Sequence, residues 1–247
     1  MDQVQGFTAE EERLWHEEGA LTMADALGGE ELQTLQGAFT EAAERCKPRW
    51  LSEVAEGTKP AAFFDIPDPF SHHEFFLDLV DHPSYSGRLH ELSDGQICFI
   101  GPQFRTVPPS LLSYVGWHYD VPFSNPLHFK IQLYVDDVPE EGGAFGFIPG
   151  SHRPGSGPYP LVRDPADMPG HHVYPGRAGT AVLFNSWGLH TAMVNHTGIP
   201  RRSIILIYEV FGKRIYNPER YRRYAHRMNT MDRRQLFGLE PRPPLAA

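Results

Sequence analysis

The stretch Phe129-Lys-Ile-Gln-Leu-Tyr-Val135 decides the fold, because two kinds of side chain alternate along it. Its even positions, 130 to 134, carry polar or amphipathic side chains, and its odd positions, 131 to 135, carry aliphatic ones. This period of two is typical of a β-strand with one face on a hydrophobic core. If the aliphatic face packs on helices, the polar face lines the interior of the β-structure.

Several short β-like runs surround this stretch, separated by many of the chain's 23 glycines and 23 prolines. Short strands with such turns and no alternating helices indicate a sandwich or barrel. The predicted runs are Ile97–Ile100, Leu111–Asp120, Phe145–Ile148, Ala181–Phe184 and Ser203–Phe211.

Residues 1–95 have a helical pattern instead. A capping box of Thr8 and Glu11 predicts the first helix, a stripe of apolar residues predicts a second helix up to Pro48, and a third is predicted over 73–81, before Pro83. We therefore predict a single domain over 1–247, with a helical part at about 1–95, a β-core at 96–211 and a basic extension at 212–247.

Composition excludes several classes of protein. The chain of 247 residues has a formal charge of -9, which lacks the basic footprint of a general nucleic-acid binder. No apolar run approaches the length of a membrane span, and no secretory signal is expected at the N-terminus. Two cysteines cannot build a disulfide framework, so we predict a cytoplasmic protein. The sequence leaves the oligomeric state open.

Charge is distributed unevenly between the two ends. Acidic residues dominate 1–50, and Lys and Arg dominate 212–247. The basic segment is interpreted either as a solvated surface or as a cap over an anionic ligand or a contact between subunits.

Thirteen histidines are the unusual feature of the composition, since histidine is the commonest metal ligand. A His followed two residues later by an acid occurs three times, which is not far from chance. Two of these pairs lie in predicted helices, where residues two apart point in different directions: His16 with Glu18, and His72 with Glu74. The third, His118 and Asp120, ends a strand-like run, where residues two apart share a face.

A third ligand must come from elsewhere in the fold, and His190 is the best candidate because it follows an apolar strand and a turn. Two imidazoles and one carboxylate are the facial triad of non-haem Fe(II) oxygenases. Arg201 precedes a strongly apolar strand and has two interpretations: a surface ion pair, or a bidentate clamp for a carboxylate.

The region from Trp117 to Tyr208 resembles the phytanoyl-CoA dioxygenase family of Fe(II)/2-oxoglutarate-dependent oxygenases, and the resemblance extends over most of 7–211. The matching features, in chain order, are His118-Tyr-Asp120, Gln132–Val138, Glu141-Gly-Gly143, Ile148-Pro-Gly-Ser-His152, His190 and Arg201.

The resemblance implies a mainly β fold with flanking helices, a double-stranded β-helix or cupin-like jelly-roll barrel. It implies Fe(II) as the metal, bound by His118, Asp120 and His190, with 2-oxoglutarate as cosubstrate and O2 as oxidant. Arg201 would bind the far carboxylate of 2-oxoglutarate.

Further positions follow from the same resemblance. Lys130 and Gln132 are candidate cosubstrate contacts, although Lys130 could instead extend to solvent. The family often has a hydroxyl residue two positions after the distal histidine, where this chain has Ala192. The remaining candidates, for substrate contact, are Gln103, Arg105 and Trp117.

The implied function is a dioxygenase that hydroxylates an unactivated C–H of a small molecule while converting 2-oxoglutarate and O2 to succinate and CO2. Relatives that halogenate lack the carboxylate ligand, so Asp120 favours hydroxylation, or a desaturation or cyclisation. Two alternatives remain: a metal-binding cupin-like protein without oxygenase activity, and a Zn(II) cupin-type isomerase or hydrolase.

Overall fold

The computed structural model describes residues 6–210 and 219–242, and two antiparallel β-sheets lie at its centre. The strands are β1 (Ala20–Met23), β2 (Phe64–Asp65), β3 (Ile97–Val107), β4 (His128–Tyr134), β5 (Phe145–Phe147), β6 (His172–Tyr174), β7 (Ala181–Asn185), β8 (His190–Ala192) and β9 (Arg201–Val210). The larger sheet has the order β1-β7-β4-β9-β3-β2, and the smaller has the order β6-β5-β8.

Helices flank the larger sheet. They are α1 (Ala9–Glu17), α2 (Gly29–Ala55), α3 (Phe75–Asp78), α4 (Pro83–Leu92), α5 (Glu219–Arg222) and α6 (Met231–Leu236). The predicted capping box at α1 is confirmed, since the Thr8 and Glu11 side chains each accept the other's backbone N–H. None of the helices in the described ranges combines the length and the apolar character that crossing a bilayer requires.

The two faces of β4 behave as its sequence predicts. Ile131 and Leu133 lie in the main core with Leu35 and Phe39 of α2, and all four are fully buried. The opposite face of the larger sheet packs on the smaller sheet, where Val182 and Phe184 of β7 meet Phe145 and Phe147 of β5. Lys130 and Gln132 therefore point into the space between the two sheets.

The segment 111–120 corrects one strand prediction, because no strand forms there. Pro108 and Pro109 follow β3 directly, and proline cannot donate the hydrogen bonds that extend a ladder. Only His118 regains β-pairing, as an isolated bridge to His190.

Two further expectations for the helical part are also corrected. The helix expected to stop before Pro48 continues through it to Ala55. Pro83 follows the end of the third predicted helix as expected, and it also begins α4, at a position where a missing N–H costs nothing. The predicted helical part also supplies β1 and β2 to the larger sheet.

The described part of the basic C-terminal segment packs on the protein itself. Tyr221 and Phe237 join the main core. An Arg233 Nη2 atom lies 2.8 Å from Asp78 and 3.0 Å from Asp81, and Arg223 pairs with Asp68. These arginines thus bind a neighbouring acidic segment of the same chain. Residues 211–218 and 243–247, which belong to the predicted core and extension, lie outside the described residues.

Candidate metal centre

His118, Asp120 and His190 come together between the two sheets. Their candidate ligand atoms all lie within 4.8 Å of one another. The backbone brings them there, since His118 and His190 exchange N–H···O bonds of 3.0 and 3.1 Å, and the Asp120 N–H donates to Ser186 at 3.2 Å. Among the described residues, this is the one group of three or more His, Cys, Asp or Glu side chains that could hold a metal ion.

Both imidazoles are fixed in the same tautomer. The Nδ1 atom of His118 lies 2.9 Å from the Gly116 carbonyl, and that of His190 lies 2.9 Å from the Gly188 carbonyl. A carbonyl oxygen can only accept, so each Nδ1 donates its hydrogen, and in the neutral imidazole Nε2 then carries the lone pair. A glycine is required at 188, because a Cβ there would collide with the Phe147 ring.

The two Nε2 atoms face the carboxylate of Asp120. That of His190 lies 3.2 Å from one Asp120 oxygen, and that of His118 lies 3.8 Å from the other. Burial, and then the neighbouring His190, lowers the pKa of His118, which favours the neutral imidazole. Three electron-pair donors that converge in this way suit a cation.

Lys130 is the nearest positive charge to this cluster. Its Nζ lies 2.7 Å from an Asp120 oxygen. Since its side chain is only 11% exposed, Lys130 does not extend to solvent. Burial opposes ionisation of Asp120, but His190 and Lys130 together hold the pKa of its carboxyl well below the usual range.

A cavity of about 130 Å³ adjoins the cluster. It brings four of the other predicted residues together with the three candidate ligands. Its wall includes Gln103, Arg105, Tyr114, Val115, Lys130, Gln132, Thr191 and Ala192.

Arg201 lies near this cavity but not on its wall. It is 4% exposed and donates to the Gly143 carbonyl, while its Nε is buried without a hydrogen-bond partner. Within residues 6–210 and 219–242, no carboxylate pairs with it. The hydroxyl of Ser203, which shares its strand face, is also buried without a partner in the described residues.

Arg105 is buried as deeply, at 8% exposed, but has a carboxylate partner. Its Nε and Nη2 lie 2.7 and 2.6 Å from the two oxygens of Asp65 in β2. Its guanidinium also lies 4.1 Å from the ring centroid of Phe63. Sequence reasoning missed Asp65, since nothing in a loop-like segment signals that it pairs with β3.

Trp117 does not reach the cavity wall, although the sequence made it a candidate substrate contact. Its Nε1 donates to the Pro165 carbonyl at 3.1 Å, and its ring packs against Ile148, Met168 and Leu189. The physical reason is the geometry of an extended segment, in which the neighbour of an inward-pointing His118 points away from it.

Several solved structures share this fold. The chain superposes on the non-haem α-ketoglutarate-dependent carbocyclase SnoK from nogalamycin biosynthesis with a TM-score of 0.63, at 21% identity, over 83% of this chain and 85% of that one. HygX from Streptomyces hygroscopicus, solved with nickel, 2-oxoglutarate and hygromycin B bound, gives a TM-score of 0.62 at 16% identity, over 82% and 87% of the two chains.

Sequence comparison agrees with this fold. The chain is 26% identical over 166 residues to a probable α-ketoglutarate-dependent hypophosphite dioxygenase of Stutzerimonas stutzeri. That match includes 60% of this chain and 54% of the relative, so it spans about half of the relative's length. The family model for phytanoyl-CoA dioxygenase matches residues 15–203, which include His118, Asp120, His190 and Arg201. The chain therefore belongs to the phytanoyl-CoA dioxygenase family.

Proposed function

We propose that the protein is a non-haem Fe(II)/2-oxoglutarate-dependent dioxygenase that hydroxylates an unactivated C–H of a small molecule. 2-Oxoglutarate and O2 would be converted to succinate and CO2. One observation carries the proposal: two Nε2 lone pairs and a carboxylate converge beside a cavity. The family supports it, and we infer that the two sheets are the halves of the family's double-stranded β-helix barrel.

His118, Asp120 and His190 would hold the iron. The donor set fits, because each Nδ1 faces a backbone carbonyl, so that Nε2 is the atom each imidazole presents to a metal, beside the ionised Asp120 carboxylate. Two histidines and one carboxylate leave positions open for other ligands. When bound there, Fe(II) supplies the chemistry that activates oxygen.

Arg201 would bind the far carboxylate of 2-oxoglutarate. A buried guanidinium without a carboxylate is costly, so a dicarboxylate ligand offers the missing counter-ion. The unpartnered Ser203 hydroxyl on the same strand face is a further donor for that carboxylate. Gln132 lines the cavity between these groups and the metal cluster and is retained as a cosubstrate contact.

Lys130 takes a different role from the one its sequence position suggests. Its ammonium already contacts Asp120, so it competes with the metal for that carboxylate and orients it. The proposed substrate-facing wall is formed by Gln103 and Arg105, without Trp117. A small-molecule substrate is supported by HygX, of the same fold, which is solved with hygromycin B bound.

The test measures succinate by mass spectrometry after incubation of the whole chain with Fe(II), 2-oxoglutarate and O2. We expect succinate from the unaltered protein and none from His118→Ala or His190→Ala, which should also lose Fe(II) in equilibrium dialysis. His226→Ala is the matched control, because His226 is exposed on the C-terminal segment. Metal binding without succinate would contradict the proposal and favour a metal-binding cupin-like protein.

A further inference from the structure

Tyr114 lies near both buried arginines of this region. Its ring centroid is 5.3 Å from the Arg105 guanidinium carbon and 6.0 Å from that of Arg201. Tyr114 lines the cavity that the metal cluster also lines, whereas Arg201 does not. Tyr114 thus lies on the cavity wall and near Arg201.

The segment that carries Tyr114 is tied to the strand that carries His190. The Ser113 hydroxyl donates to the Ala192 carbonyl at 2.6 Å, and the Thr191 hydroxyl donates to the Val115 carbonyl at 2.8 Å. These two bonds lie on either side of Tyr114 in sequence. The position of the phenol relative to the candidate metal ligand is therefore fixed by β8.

The phenolic hydroxyl has a hydrogen to donate. Its oxygen accepts a long bond of 3.4 Å from Arg105 Nη1. In the described ranges, no oxygen accepts the hydrogen of Tyr114. Arg105 does not require the phenol as a counter-charge, because Asp65 already binds it through two oxygens.

The same cavity wall carries Ala192, whose methyl group can donate nothing. A carboxylate ligand near Arg201 presents two oxygens, and a guanidinium together with a neutral hydroxyl can satisfy both. Tyr114 is placed to supply that hydroxyl, since its ring centroid lies 6.0 Å from the Arg201 guanidinium carbon and the residue lines the cavity.

We propose that Tyr114 is a cosubstrate-positioning residue, whose phenolic O–H donates to the carboxylate of the 2-oxo acid that lies farthest from the metal. This inference rests on the proposed function and adds a residue to it. Tyr114 would select for 2-oxo acids that end in a second carboxylate, and it would hold that end while the metal cluster holds the other.

The test compares two ligands on the whole chain loaded with Ni(II), so that binding is measured without turnover. 2-Oxoglutarate has the far carboxylate, and 2-oxopentanoate has the same carbon chain with a methyl group in its place. Isothermal titration calorimetry gives both dissociation constants for the unaltered protein, for Tyr114→Phe, and for Tyr174→Phe. Tyr174 is the matched control because its hydroxyl is buried away from the cavity wall and has no partner in the described residues.

We expect Tyr114→Phe to weaken 2-oxoglutarate binding by about tenfold or more, the size of a charge-assisted hydrogen bond, and to change 2-oxopentanoate binding by less than about twofold. Ni(II) affinity and melting temperature should not change, because the ring and its packing beside the guanidiniums are kept. Tyr174→Phe should bind both acids as the unaltered protein does.

Two results would overturn the proposal, and they differ from failure of the proposed function. Equal weakening for both acids would show that Tyr114 shapes the cavity without contacting the far carboxylate. No weakening for 2-oxoglutarate would show that the phenol does not touch it. If the unaltered Ni(II)-loaded protein bound neither acid, the result would contradict the proposed function, and the proposed role of Tyr114 with it.

Discussion

Arg105 and Arg201 are two buried arginines on neighbouring strands, and they differ in what neutralises them. Arg105 is held by Asp65 through two short bonds, whereas no carboxylate in the described residues pairs with Arg201. The other two buried cations of the described ranges also have carboxylates, Arg88 with Glu11 and Lys130 with Asp120. Since an uncompensated buried charge is expensive, Arg201 is the one that calls for an anionic ligand.

The variant Arg201→Met tests most directly whether Arg201 binds an anionic ligand. We expect the affinity of the Ni(II)-loaded protein for 2-oxoglutarate to fall by about a hundredfold or more, because a buried charge pair with the ligand is lost. The free energy of unfolding without ligand should stay constant or rise, because an unpaired buried charge is removed. Calorimetry and urea denaturation measure the two effects.

Arg202→Met is the matched control, because Arg202 is the next residue and pairs with Asp136 at 2.6 Å. It should leave the affinity for 2-oxoglutarate unchanged. A marked loss of stability in Arg201→Met with normal ligand affinity would mean that Arg201 is structural, like Arg105.

Asp65→Asn tests whether the pair of Asp65 and Arg105 stabilises the fold. It should lower the free energy of unfolding by about 2 kcal/mol, less than for a fully buried pair because a third of the Asp65 side chain is exposed. Urea denaturation measures this, and Asp25→Asn, an exposed acid, serves as the control. An effect no larger than that of the control would remove the structural contrast between the two arginines.

Lys130→Met extends the comparison to the third buried cation near the cavity. We expect the affinity for Ni(II) to rise by roughly tenfold, because a positive charge that competes for Asp120 is removed. Equilibrium dialysis against a competing chelator measures it, with the exposed Lys59→Met as control. Weaker Ni(II) binding would indicate that orienting Asp120 matters more than competing for it.

Trp117→Phe has the smallest expected effect. It removes the hydrogen bond to the Pro165 carbonyl and should cost about 1 kcal/mol of stability. The affinities for Ni(II) and for 2-oxoglutarate should be unaffected, since Trp117 does not line the cavity. A change in either affinity without a change in melting temperature would restore Trp117 as a contact residue.

Much of the site could be predicted from the sequence because its signals are local. The alternation along 129–135 correctly predicted which face of β4 meets the helices and which faces the cavity. The spacing of His118 and Asp120 correctly predicted that they converge, although the reason was partly wrong: the segment before them is not a strand. The bridge of His118 to His190 and the bond from the Asp120 N–H to the Ser186 carbonyl hold the two residues in place.

The family resemblance, the mainly β fold and the flanking helices were all predicted from the sequence and are confirmed. The predicted stop at Pro48 was wrong, because one missing N–H does not outweigh a long helix that packs on a sheet. The contributions of β1 and β2 were missed for a related reason, since strands of four and two residues are too short to show a period.

The sequence by itself determined the kinds of chemistry present: two histidines and a carboxylate in a pattern typical of a metal site, an arginine before an apolar strand, and a family. Tertiary structure alone decided which buried charges neutralise each other. Asp65 lies 40 residues from Arg105 in the chain, and Tyr114 lies near two arginines that are 96 residues apart. Charge pairing in a protein interior depends on distance in space, and local sequence patterns carry no record of it.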